Sequence, residues 1–338
     1  MAAACHAGGM SPEPATWWPI SPAPRLSLAQ RAALGALVEY VDDPRVTDVF
    51  VLAGGEVYVD TGQGAQPVRG ARLGTREVDD LARGLIEFGG RHVDEIQPLA
   101  DVNLGAGLRV HVALPPVSHR GAVVSIRVGQ PSAPGLDALA LADAPRVIPA
   151  LMRAVANKAT MLVSGATGSG KTTLVAALMA YVPITERIVV LEDLAELRID
   201  HPHVVSLETR QASAEGTGEI TLARLVRESL RMRPNRLVVG ECRGVEIQDM
   251  LQAFLTGHRG GATTIHAPDL AEVPARLDAL GASAGLSPGQ LARQARSAFD
   301  LVLHVSRLES SIREVRCGRL VVDERGDLAV EEVDIEGL

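Results

Sequence analysis

Eight consecutive residues, Gly165-Ala166-Thr167-Gly168-Ser169-Gly170-Lys171-Thr172, have the composition and spacing of a phosphate-binding loop. Glycines allow a tight turn whose backbone N–H groups face one point, and a helix starting there adds its positive dipole end. Anionic phosphate is what such a point binds. Lys171 can reach the β- and γ-phosphates of a nucleotide, and the Thr172 hydroxyl can ligate Mg²⁺. Residues Gly165 to Thr173 are therefore the expected cradle for ATP and Mg²⁺. The flanks agree. The apolar run Met161-Leu162-Val163 reads as a buried strand, and Thr173-Leu174-Val175-Ala176-Ala177-Leu178-Met179 as the helix that must follow.

A site that hydrolyses ATP also needs carboxylates, to hold the metal's waters and to orient the attacking water. Two candidates end apolar strands: Glu192-Asp193 after Ile188-Val189-Val190-Leu191, and Glu241 after Leu237-Val238-Val239-Gly240. Ligands of an open parallel sheet bind at the carboxyl ends of its strands, which suits both. Gly240 stands where a second nucleotide motif usually has its metal-side Asp. That shifts the metal role toward Thr172, bound waters and Glu192, and points to Glu241 as the water-activating group. The division of labour between the two glutamates stays open. His258 and His266 are candidate sensors of the γ-phosphate, since His266 closes the apolar run Ala262-Thr263-Thr264-Ile265. Arg224, Arg227 and Arg231 share a helix face with Glu228 and read as solvated charge. Arg109 and Arg127 are different, because each interrupts an apolar strand and needs an anionic partner there. A nucleotide held by the other domain would be that partner, with the arginines acting as fingers.

The elements that must position these groups fall into two grammars. Residues 30–128 read as short strands with one clear helix at 76–88, including a hairpin made from 46–51 and 56–59. The stretch Gly129-Gln130-Pro131-Ser132-Ala133-Pro134-Gly135 opens a linker by composition. Beyond it, strands at 161–164, 188–191, 204–207, 236–240 and 262–265 alternate with helices at 171–181, 221–233, 245–257 and 287–298. Strands and hairpins follow from Phe299 to Val333. That alternation implies a mostly parallel α/β sheet covered on both faces. The expected domains are a leader (1–24), an α+β domain (25–130), a linker (131–145) and a phosphate-loop domain (146–338). Composition narrows the function. The 338 residues carry a formal charge of −8 and only 3% aromatics, which disfavours a nucleic-acid surface built on phosphate contacts and base stacking. No apolar run approaches the ~20 residues of a membrane span. Cys5, Cys242 and Cys317 are too scattered for a disulfide framework or zinc knuckle. With no signal-like N-terminus, a cytosolic protein is expected.

Taken in order, these motifs resemble the secretion ATPase superfamily. Glu186-Arg187-Ile188-Val189-Val190-Leu191-Glu192-Asp193 is similar to its acidic box. Residues Arg233 to Gly244 resemble its atypical second nucleotide motif, and Thr256 to Ala267 its histidine box. Leu207-Glu208-Thr209-Arg210 and the helix ending Leu230-Arg231-Met232-Arg233 look most like the tight-adherence (Tad/Flp) pilus-assembly branch. The resemblance implies a RecA-like ATPase domain behind a smaller N-terminal domain, with nucleotide between the two. It also implies a homo-oligomeric ring, usually hexameric, in the cytoplasm at the inner face of the cell membrane, working on inner-membrane platform proteins. Arg109, Arg127 and Arg210 map onto arginines that approach the phosphates in that family. The alternatives are a conjugation-type ATPase serving DNA transfer and a nucleotide-switched scaffold with little turnover.

Overall fold

The structure, a computed structural model, describes residues 26–129, 134–210, 217–308 and 312–335. The expected leader, residue 130 and residues 131–133 of the expected linker lie outside the described residues.

The first half of the chain builds one antiparallel sheet. Helices α1 (Leu28–Leu34) and α2 (Val38–Val41) precede strands β1 (Asp48–Val51), β2 (Glu56–Asp60) and β3 (Gln66–Arg72). Helix α3 (Thr75–Phe88) follows, then β4 (Leu99–Asn103), β5 (Leu108–Ala113) and β6 (Val123–Val128). The six strands lie in the order β3-β2-β1-β6-β5-β4. Burial alternates along β1, β5 and β6, so only one sheet face is covered. Val49, Val51, Val110, Val112 and Ile126 pack there with Val78, Leu85 and Ile86 of α3. The residues between them, Arg109 and Arg127 among them, face the other way.

Sequence periodicity does not reveal β3 or β4. Strand β3 buries none of its residues and β4 only Val102, so main-chain pairing to the neighbouring strand, and not an apolar face, defines them. Helix α1 is marked by a capping box between Ser27 and Gln30.

The second half is a doubly covered sheet. It runs α4 (Ala144–Ala156), β7 (Met161–Gly165), α5 (Lys171–Met179), β8 (Ile188–Glu192), β9 (Val204–Glu208), α6 (Leu222–Ser229), β10 (Arg236–Val239), α7 (Glu246–Leu255) and β11 (Ala262–His266). Helices α8 (Val273–Ser283) and α9 (Pro288–Ala298) lead to β12 (Leu301–Arg307), β13 (Arg313–Val322) and β14 (Leu328–Val333). The eight strands are ordered β14-β13-β12-β7-β11-β10-β8-β9. From β12 to β9 every pairing is parallel, and β13 and β14 add an antiparallel edge. Strands β7, β8 and β10 are buried along their whole length, as a sheet with helices on both faces requires.

Two expectations need correction here, and one helix carries no sequence signal. The end of the expected linker is not free chain: Leu136 and Leu139 are buried in the second core, and α4 already starts at Ala144. The helix expected over 221–233 ends at Ser229 and tightens into a 3₁₀ turn, with Arg233 left-handed at φ 53°. Helix α8, absent from the sequence reading, has apolar residues too scattered around its axis to give a clear stripe; Val273, Leu277 and Leu280 are nonetheless buried.

Candidate nucleotide site

Parallel pairing brings the candidate residues together. His266 lies opposite Gly165 across β11 and β7, Val238 opposite Ala262 across β10 and β11, and Val239 opposite Leu191 across β10 and β8. The phosphate loop, His266, Gly240-Glu241 and Glu192 thus leave the carboxyl ends of four adjacent strands. Residue Gly165 admits no side chain, because a Cβ would collide with the Val305 carbonyl. Gly170, at φ 104°, hands the loop to α5 in a conformation that favours glycine.

Lys171 is almost fully buried. Its Nζ donates to the Gly165 and Ala166 carbonyls, both at 2.9 Å, and lies 3.3 Å from His266 Nδ1. An ammonium only donates, so Nδ1 accepts and the ring proton sits on Nε2. Nε2 then donates to Glu241 Oε1 at 3.1 Å. The other Glu241 oxygen accepts from Arg243 at 2.7 Å. A continuous relay therefore joins Lys171, His266, Glu241 and Arg243. Burial pushes the Glu241 carboxyl up, but the Arg243 hydrogen bond and the charges of Arg243 and Lys171 outweigh it and hold the group below its ordinary value. Burial and the lysine charge push His266 down, which keeps the imidazole neutral. Burial also lowers Lys171.

Glu192 is the opposite case. Only 5% exposed, it accepts from the Glu196 and Leu197 amides through Oε1, both at 3.0 Å, while Oε2 is buried without a partner. Burial pushes its carboxyl up to about 7 despite those two hydrogen bonds. The missing Asp at Gly240 now has a physical reason. A Cβ at Gly240 would lie 2.6 Å from Glu192 Cγ, so the glycine makes room for the glutamate of the next strand. Glu192, with its unpartnered carboxylate oxygen, and Thr172, with its hydroxyl, line the same small cleft and offer an oxygen-only donor set, which fits Mg²⁺ coordinated mainly by phosphate and water.

The two halves of the chain face each other across a cleft of about 390 Å³, lined by Arg109 and Arg127 on one side and Thr172, Thr173 and Ala176 on the other. An adjoining cleft of about 90 Å³ contains Thr172, Glu192, Glu241, Arg243 and Arg109. The expectation that Arg109 and Arg127 are buried in apolar strands is corrected: alternation turns both to the open face of the first sheet. There they are direct cross-strand neighbours. Like charges in that position repel, and an anion in the cleft would relieve the repulsion. Arg127 has only a loose partner, Asp48 at 3.7 Å, and its side chain is 69% exposed. Arg109 pairs with Asp101 at 3.2 Å and, across the cleft, with Glu196 at 2.7 Å. Asn103 Nδ2 also crosses, donating to the Ala195 carbonyl at 2.6 Å.

Two predicted residues do not join this constellation. His258 precedes β11 and so sits at the end of the sheet opposite the loop, its Nδ1 3.3 Å from the Ala253 carbonyl. Arg210 bridges to Ile220 and lines a neighbouring cleft that shares Arg109, Asp193 and Arg243 with the one beside Glu241, but Arg210 itself does not line the latter. Of the helix arginines, Arg227 pairs with Asp249 and Arg231 with Glu228, as solvated charges do. The sequence does not mark Glu196, Asn103 or the relay role of Arg243. The amides after Glu192 and the turn after Glu241 act through backbone geometry, which residue types alone do not signal.

A phosphate loop on a mostly parallel sheet, with carboxylates and a histidine at neighbouring strand ends, defines the RecA-like nucleotide-binding class. The chain belongs to the type II/IV secretion system protein family, whose model it matches over residues 32–331. It is 43% identical over 293 residues to a putative conjugal transfer protein of Mycobacterium tuberculosis, covering 84% of this chain and 83% of that one. Identity to the type IV secretion system protein VirB11 of Brucella suis is 30% over 262 residues, 69% of this chain and 72% of the relative. The fold is also that of the Legionella pneumophila ATPase DotB, at TM-score 0.59 and 22% identity over 86% of this chain and 80% of DotB. The pilus retraction motor PilT, solved with bound ADP, gives TM-score 0.58 and 18% identity over 91% of this chain and 82% of PilT. Among the described residues no helix is long and apolar enough to cross a membrane.

Proposed function

We propose that the chain is an ATP-hydrolysing motor of a Tad/Flp-type pilus-assembly or secretion system, acting in the cytoplasm at the inner face of the membrane. The observation that carries this reading is the convergence of the phosphate loop, His266, Glu241 and Glu192 at four adjacent strand ends. The loop amides and Lys171 bind the triphosphate, and on binding Lys171 exchanges its carbonyl partners for phosphate oxygens. Glu241 stays ionised, and its carboxylate orients and accepts a proton from the attacking water. His266, neutral and hydrogen bonded to both Lys171 and Glu241, reports the state of the γ-phosphate to both. The Thr172 hydroxyl and Glu192 would hold Mg²⁺, which neutralises charge on the phosphate oxygens. Arg109 and Arg127 add positive charge from the other domain, so phosphate loss reopens the cleft and moves one domain against the other. In a homo-oligomeric ring, hexameric by family resemblance, that motion would work on inner-membrane platform proteins.

A conjugation-type motor serving DNA transfer is the second reading, favoured by the name of the mycobacterial relative. The chemistry is the same and the cargo differs. Phosphate release by the wild type and by Lys171→Ala, with and without Mg²⁺ and single-stranded DNA, tests both. Mg²⁺-dependent turnover that Lys171→Ala abolishes and DNA leaves unchanged is expected. Turnover that survives Lys171→Ala would defeat the motor, and strong stimulation by DNA would favour the second reading.

A further inference from the structure

We infer that Arg313, which lies outside the motifs discussed above, is a positioning residue that clamps the phosphate loop and ties it to the segment joining the two halves of the chain. It rests on the reading of the loop as the ATP cradle. A loop whose amides converge on an anion must turn its carbonyls outward, and those need donors. Lys171 serves the Gly165 and Ala166 carbonyls. The Ser169 carbonyl, at the other end of the loop, accepts from Arg313 Nε at 3.2 Å. The guanidinium also fills the space beside Gly170, where a Cβ would come within 2.6 Å of Nε. Residue 170 is thus glycine for two reasons, its φ of 104° and this arginine.

The Arg313 main chain is held just as firmly. Its N–H donates to the Ala140 carbonyl at 2.8 Å, and its carbonyl accepts from the Ala142 amide at 2.7 Å. Leu141 forms a parallel bridge with it. A single residue at the start of β13 therefore touches the last turn of the phosphate loop with its side chain and the interdomain segment with its backbone. The side chain lines neither cleft beside the loop, so its effect on nucleotide runs through the loop and not through contact.

The experiment compares the full-length wild type, Arg313→Ala and Arg313→Lys by three readouts: ATPase kcat and KM, Kd for fluorescent ADP, and hydrogen exchange of the amides of residues 165–171 without nucleotide. Expected for Arg313→Ala are faster loop exchange and KM and Kd raised about five- to tenfold, the effect of losing one charge-assisted hydrogen bond behind a site. Expected kcat changes less than about twofold, and Arg313→Lys restores most of the binding. Unchanged loop exchange and KM in Arg313→Ala would overturn the assignment. Equal losses of kcat, KM and melting temperature in both variants would overturn it too, by making the arginine merely structural. Should Arg313→Ala not fold, the KM and loop exchange of Arg313→Lys and Arg313→Gln decide. If the wild type bound no ADP, the motor reading would fail on its own, while the exchange comparison would still judge the clamp.

Discussion

At the scale of single residues, the site contains two glutamates that burial and partners drive apart. Glu241, bonded to Arg243 and His266, is held ionised, whereas Glu192, with one orphaned oxygen, titrates near neutrality. Such a split keeps one carboxylate ionised and leaves the other able to exchange a proton near neutral pH, so the two are suited to different roles. Glu241→Gln should keep nucleotide affinity within about threefold and slow turnover at least a hundredfold, by roughly the weight of a general base. Loss of binding in parallel with turnover would move Glu241 to a structural role. Glu192 also makes a prediction about pH. Its folded pKa is raised above the unfolded value, so the folded state binds the proton more tightly. The contribution of Glu192 to stability is then greatest below about pH 4.5 and declines as pH rises through about 7. The burial cost at pH 8 is about 3 kcal/mol. Nucleotide-free Glu192→Gln should therefore melt several degrees above the wild type at pH 8, with the gap shrinking toward pH 5. A pH-independent gap would show that the carboxyl is not strained by burial.

At the scale of elements, the strand ends carry the site, and small residues decide whether they can. Gly240→Ala places a methyl group where Glu192 Cγ packs. The expected cost is about 1–3 kcal/mol of stability together with most of the turnover, measured by thermal melts and phosphate release. Full activity in Gly240→Ala would mean that Glu192 has freedom the packing does not suggest. Much of this was legible beforehand. Buried strands of the second sheet announce themselves because parallel strands covered on both faces must be apolar throughout, and the loop glycines are spaced for phosphate. What stayed hidden depends on partners far along the chain. Strands β3 and β4 are defined by pairing alone, Arg313 meets the loop across 144 residues, and His258 shares a sequence box with His266 yet lies at the opposite end of the same strand. Arg109 and Arg127 lack the burial that an apolar strand suggests; strand alternation, readable from Val110, Val112, Ile126 and Val128, places them on the other face.

At the scale of the whole molecule, the proposed function depends on the cleft between the halves. One sheet offers two adjacent arginines, the other a phosphate loop, and the stretch Ala195–Glu196 joins them through Asn103 and Arg109. The amides of Glu196 and Leu197 also hold Glu192. The placement of the Glu192 carboxyl and the position of the first sheet are therefore linked through a few residues. Arg127→Ala should lower turnover about a hundredfold, as loss of a transition-state donor does, while its melting temperature stays within about 2 °C because the ion pair with Asp48 is exposed. A melt that collapses along with activity would make Arg127 a folding residue. The most direct measurement is a crystal structure of the full chain with Mg²⁺ and a non-hydrolysable ATP analogue. Expected are the β- and γ-phosphates within the loop amides, Glu192 and Glu241 flanking the γ-phosphate, and Arg109 or Arg127 moved onto the phosphates. An analogue bound elsewhere, or one in the loop with both glutamates turned away and both arginines still paired with Glu196 and Asp48, would contradict a motor driven from this cleft.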